Sequence, residues 1–191
     1  MVKKDDIEKN VGVDVVLQAK QSKTAGNFIG QISGYALKFN TPSTAAAPFT
    51  EYISPHALDG VDLSKVLALY DHKYGNILGR VDAGTLKLKV DKIGLHFELE
   101  MPNTSLGKDV YNNVKAGNLS SMSFGFVVAN DGDSWKRQGK PVRTINQIAQ
   151  LNEISVVSVP AYDDTNIKVT RSLNDMKSHD YKTKLKYYLD H

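Results

Sequence analysis

The chain has 191 residues, of which 41% are hydrophobic and 24% charged, enough for one globular domain with a sizeable core and a short appendage. Its 24 Lys and Arg against 21 Asp and Glu leave a net charge of +3, and the lysines are scattered, so no nucleic-acid or membrane surface is announced. The absence of cysteine excludes disulfides, thiolate zinc ligands and a thiol nucleophile. The polar stretch Met1 to Asn10 lacks the apolar core of a signal peptide, and no run approaches the ~18 apolar residues that cross a bilayer, so a soluble, intracellular protein is expected.

Taken in order, most segments have the pattern of strands. Val11 to Ala19 and Phe28 to Phe39 are rich in β-branched and aromatic residues, with a polar turn at Lys23 to Asn27 between them. Ser43 to Pro48 is a small-residue loop, and Glu51 to Ile53 a short strand. Ser54-Pro55-His56-Ala57-Leu58 offers a cap followed by proline, which predicts a short helix. Lys65 to Tyr70 is a compact apolar run of the kind found in buried strands. Thr85 to Val90 and Leu95 to Glu100 alternate apolar and polar residues around Asp91-Lys92-Ile93-Gly94, which predicts a hairpin with one wet face.

One internal helix follows. Asn103 or Thr104 can cap it, Leu106, Val110 and Val114 recur at four-residue spacing, and Gly117 stands where a left-handed stop is wanted. Leu119 to Ala129 is a further strand, Asp131 to Pro141 a polar loop, and Asn152 to Val159 a strong strand closed by Pro160. From Leu173 onward, apolar residues among lysines predict an amphipathic C-terminal helix. The expected fold is mainly β with helices: a curved, mostly antiparallel sheet or barrel, one main internal helix and the C-terminal helix.

Three residues stand out chemically. Ser123 lies in an apolar strand before Phe124 and Gly125, and Ser121 shares its face, so geometry alone leaves two candidate nucleophiles. His72 ends the apolar run Val66 to Tyr70, a suitable place for a base whose charge changes near neutrality. Glu153 interrupts Leu151 to Val157, and an acid in such a strand must be paired or face water. Each has an ordinary structural explanation when taken singly. His96 and Glu98 share a strand face and are the raw material of a metal site, although alternation with Leu95, Phe97 and Leu99 makes them the wet side of a hairpin.

The stretches Gly34-Tyr35-Ala36, Glu51 to Pro55, Leu69-Tyr70-Asp71-His72 with Leu78-Gly79-Arg80, and Gly94-Leu95 carry a family pattern. It continues through Asn103-Thr104, Gly117-Asn118-Leu119, Ser123-Phe124-Gly125-Phe126, Leu151 to Val157 and Pro160-Ala161-Tyr162. In order and spacing, from Gly34 to Val169, the chain resembles the tailed-phage prohead proteases, relatives of the herpesvirus capsid assemblins. The resemblance implies a serine endopeptidase with Ser123 as nucleophile, His72 as base and Glu153 as orienting acid, and it demotes Ser121. The sequence departs from the family at His56, where glycine is usual, and at Lys73, where an acid is frequent.

The resemblance further implies a protease domain over residues 26–171, flanked by an N-terminal extension with a first strand at 1–25 and a helical tail at 172–191. It implies no cofactor and no metal. Expected substrates are the major capsid protein with its scaffolding segment and the protease itself; the portal is a further partner, and a homo-oligomer is allowed. Neither nucleic acid nor membrane is expected as a partner. The place of action would be the assembling prohead in the bacterial cytoplasm, with oxyanion donors sought near Pro160 to Tyr162. The rival reading is a non-catalytic capsid or tail assembly module on a related barrel.

Overall fold

The computed structural model describes residues 8–14, 18–20, 27–43, 49–137 and 139–158. In chain order the elements are β1 (Glu8–Asp14), β2 (Gln18–Lys20), β3 (Phe28–Lys38), β4 (Thr50–Ile53), β5 (Leu67–Tyr70), β6 (Lys73–Arg80), β7 (Leu86–Val90) and β8 (Gly94–Pro102). Then come α1 (Ser105–Lys115), β9 (Ser121–Val128), β10 (Asp133–Lys136), β11 (Val142–Ile145) and β12 (Ile148–Val157).

These strands form three sheets, ordered β1-β9-β12-β5-β6, β10-β11-β4 and β2-β3-β8-β7. The mainly-β reading with one internal helix therefore holds among the described residues. The single curved sheet or barrel does not: the strands lie in three sheets and no barrel closes among the described residues. The pairing is mostly antiparallel as expected, with β4–β11 and β5–β12 parallel. The expected C-terminal helix lies outside the described residues, as do Pro160 to Tyr162 and most of the Ser43 to Pro48 loop.

Local chemistry explains the elements that match. The Asp91 carboxylate accepts from the backbone N–H groups of Ile93 (2.8 Å) and Gly94 (3.1 Å), closing the β7–β8 hairpin as its turn residues suggest. Thr104 caps α1 by accepting from Gly107 N–H at 3.0 Å, and Gly117 leaves the helix with a φ of 77°, a left-handed value that glycine adopts without strain. Val110, Tyr111 and Val114 are the helix face that is buried.

Three expectations need correction. The strand foreseen at Val11 to Ala19 is two strands serving different sheets, β1 on β9 and β2 on β3. Ser54 to Leu58 forms successive turns instead of a helix, with Ala57 N–H bonded to Ser54 O (3.0 Å) and Asp59 N–H to His56 O (3.1 Å). Within the foreseen loop Asp131 to Pro141, β10 pairs with β11, held by Asp133 and Glu51 accepting from the Arg143 guanidinium at 2.7 and 3.1 Å.

One apolar cluster joins the sheets and the helix. It includes Ile32 and Leu37 of β3, Phe97 and Leu99 of β8, Val110 of α1, Phe124 and Phe126 of β9, and Ile154 and Val156 of β12. Each such side chain contributes about 1.5–3 kcal/mol by leaving water. The residues between them on β9 and β12 point to the opposite face, and they too are buried: Ser121, Ser123, Glu153, Ser155 and Val157. The five-stranded sheet thus carries a second, partly polar, enclosed face.

Candidate active site

The second face is assembled by pairing in the middle of the sheet. Antiparallel register sets Glu153 opposite Gly125, Ser155 opposite Ser123 and Val157 opposite Ser121, and directly opposed residues share a face. Ser121 and Ser123 are 2% and 0% exposed, and Glu153 and Ser155 are 1% and 0% exposed. Four polar side chains buried together need partners, and the partner for the acid comes from the next hairpin.

That hairpin is β5–β6. Tyr70 pairs with Lys73, so Asp71 and His72 are its two loop residues, with φ of 51° and 56°. Two left-handed loop residues are the signature of a type I′ turn, which favours Asn or Asp followed by Gly. Aspartate suits the first position, whereas histidine in the second holds a strained backbone that neighbouring bonds must fix. Asp71 N–H donates to Val156 O at 2.9 Å, and the Asp71 carboxylate accepts from Ser158 N–H (2.7 Å) and Ser158 Oγ (3.0 Å). The turn is thereby clamped to the end of β12.

The clamp brings the imidazole to the acid. His72 Nδ1 lies 2.7 Å from Glu153 Oε1, where an Nδ1–H donates to the carboxylate. The other oxygen, Oε2, accepts from Ser155 Oγ at 2.5 Å, so both oxygens of a 2%-exposed side chain are satisfied. The His72 side chain keeps 13% of its surface exposed, while its Nε2 atom is enclosed and has no hydrogen-bond partner among the described residues. Beside the turn, Tyr74 is 44% exposed; burial of its phenol pushes the pKa up, and the charge of Glu153 adds to that.

The structure therefore joins His72 to Glu153 directly. It sets Ser123 on the same face, across from Ser155, whose hydroxyl also receives His72 N–H at 3.2 Å. Ser121 sits two residues further from the pair, opposite Val157. Of the other histidines, the two that are described stand apart from the pair. His56 is on the surface, 2.9 Å from Asp59, and His96 packs edge-on against Tyr35 at 5.2 Å. Among the described residues no group of three or more His, Asp or Glu is placed to hold a metal ion.

Two features escaped sequence reasoning. A Cβ on Gly125 would collide with Glu153 Oε1, so the glycine makes room for the carboxylate. The only signal for this was Gly125 itself, an interior strand glycine. Ser155, two residues from Glu153 and so on its face, was the available signal for a partner to the acid.

Asp71 supplies a test of the clamp. Asp71→Ala is expected to lower stability by about 1–2 kcal/mol, since it strips the acceptor from two hydrogen bonds, whereas Asp71→Asn keeps most of it. Urea unfolding of the two variants would measure the difference.

A carboxylate–imidazole pair on one sheet face with a strand serine is the set of groups used by acyl-transfer hydrolases. The family model of the caudovirus prohead serine proteases matches residues 16–179, and the chain belongs to that family. It is accordingly a protease of phage prohead maturation. Among solved structures, the bacteriophage T4 capsid assembly protease gp21 is similar with a TM-score of 0.48 and 8% identity, over 79% of this chain and 96% of that one. No curated protein matches the chain. No helix among the described residues is long and apolar enough to cross a membrane.

Proposed function

We propose that the chain is a serine endopeptidase in which Ser123 is the nucleophile, His72 the general base and Glu153 the acid that orients it. The observation carrying this reading is the enclosed 2.7 Å contact of His72 Nδ1 with Glu153, made while Nε2 has no partner among the described residues. A base held in that way keeps its second nitrogen for a proton. Ser123 Oγ attacks the scissile carbonyl as His72 takes its proton, giving an acyl-enzyme. His72 then protonates the leaving amine, and water reverses the sequence. Glu153, as carboxylate, holds the ring and stabilises the imidazolium.

The proposed substrates are the major capsid protein's scaffolding segment and the protease itself, cut inside the assembling prohead in the host cytoplasm, with the portal and a second copy of the chain as further partners. A protease domain over residues 26–171, an architecture of the assemblin type and a helical tail belong to the same proposal. The full burial of Ser123 is the observation that favours the rival, a non-catalytic assembly module.

A fluorophosphonate probe separates the two. The purified chain is expected to acquire the label on Ser123, located by peptide mass, and to yield shorter fragments with time, while Ser123→Ala does neither. Label on another serine, or fragments still forming from Ser123→Ala, would remove Ser123 from the mechanism. Wild type that neither labels nor cuts capsid protein would favour the assembly module.

A further inference from the structure

We infer that Ser155 is a positioning residue of the catalytic apparatus: one hydroxyl sets both the acid and the backbone of the base. This rests on the triad proposed above. A hydroxyl has one proton to give and lone pairs to accept with, and the two partners leave no freedom in how these are used. The Glu153 carboxylate can only accept, so the Ser155 proton goes to Oε2, at 2.5 Å. The His72 N–H can only donate, so a Ser155 lone pair receives it, at 3.2 Å. Ser155 is itself 0% exposed, so its hydroxyl is shielded from solvent.

The consequence is a closed circuit of three residues. Glu153 Oε1 holds the imidazole, Oε2 is held by Ser155, and Ser155 holds the main chain from which that imidazole projects. The carboxylate could otherwise turn about its terminal bond, a broad torsion with little preference of its own. His72 sits at a φ of 56°, where the backbone needs outside bonds to stay. Both weak points meet at one oxygen atom. Ser155 is not a second nucleophile, because its proton is committed to Glu153 and not to the imidazole. Its role is to fix ring orientation before substrate arrives, which affects the chemical step and not binding.

The test uses the full chain and fluorophosphonate labelling, with saturation kinetics to separate the maximal rate of acylation from probe affinity. Ser155→Ala is expected to lower the maximal rate about 10–100-fold, the loss expected for one hydrogen bond to a charged group, with probe affinity unchanged. Ser155→Thr, which restores a hydroxyl, should recover most of the rate. Ser155→Cys, with a weak donor of similar size, should fall between. In a Ser123→Ala background, the downfield proton resonance of His72 Nδ1–H should be present and should move upfield when Ser155 is also made alanine.

A Ser155→Ala enzyme acylating within about twofold of wild type would overturn the role, as would an Nδ1–H resonance that does not move. So would an equal loss in alanine, cysteine and threonine variants alongside lowered stability, which is the mark of packing alone. Failure of the triad itself would look different: labelling would persist in Ser123→Ala whatever stands at 155.

Discussion

Alanine at position 72 is expected to lower kcat by about 10⁶, and combining it with Ser123→Ala should make the enzyme hardly slower than either single variant. On the proposed mechanism the two groups act as one unit, since a serine hydroxyl is a poor nucleophile until a base removes its proton. The effect should fall on turnover, with KM nearly unchanged, because neither group is proposed to hold the ground-state substrate. Self-processing followed by gel over days would register a loss of this size, with circular dichroism checking that the fold persists. A His72→Ala chain that still cuts itself at more than about a hundredth of the wild-type rate would exclude His72 as the base.

The second large effect comes from a single methyl group. Gly125→Ala should reduce kcat about 10⁴-fold, close to what removal of an orienting acid costs in serine proteases. Its Cβ would occupy the place of Glu153 Oε1, the oxygen bonded to His72. A free carboxylate would swing aside at little cost; this one is held by His72 and Ser155, so moving it breaks the pair. Glu153→Gln should cause a similar loss with less disturbance of packing. In a Glu153→Ala background, where the obstacle is gone, adding Gly125→Ala should cost little more. That non-additivity shows the glycine to act through the acid. Equal effects of Gly125→Ala with and without Glu153 would mean that it damages the strand generally.

Much of this was legible from residue patterns, and the gaps have physical causes. Strand β8 and helix α1 announced themselves because period and boundary signals agree: alternation from Leu95 to Glu100 with Asp91 and Gly94 at the turn, and a Thr104 cap with Gly117 beyond the helix. β6 went unnoticed. Its ladder jumps from Lys73 to Ile77, so Tyr74 to Asn76 break any alternation, and the strand lies at a sheet edge. β10 and β11 are short, and their order depends on Arg143 reaching Glu51, 92 positions earlier in the chain, a contact that no local pattern encodes.

The candidate site residues show the same division. Glu153 in an apolar strand signalled that it must be paired or wet, and the structure shows it paired. Which histidine would meet it could not follow from periodicity, because the turn that delivers His72 runs against ordinary turn preferences. The match between Ser155 and Ser123 depends on a register that shifts near Leu151, where the ladder has an irregularity.

The enclosed state of Ser123 bears on timing. A peptide bond cannot approach an oxygen atom that presents no surface, so on the proposed reading the free protein is closed to substrate until something moves aside. The rate of cutting would then follow how often the chain opens, and a protease packed among its own targets would stay latent while the shell is being built. A small acylating reagent and a large protein substrate should accordingly report very different reactivities for the same hydroxyl.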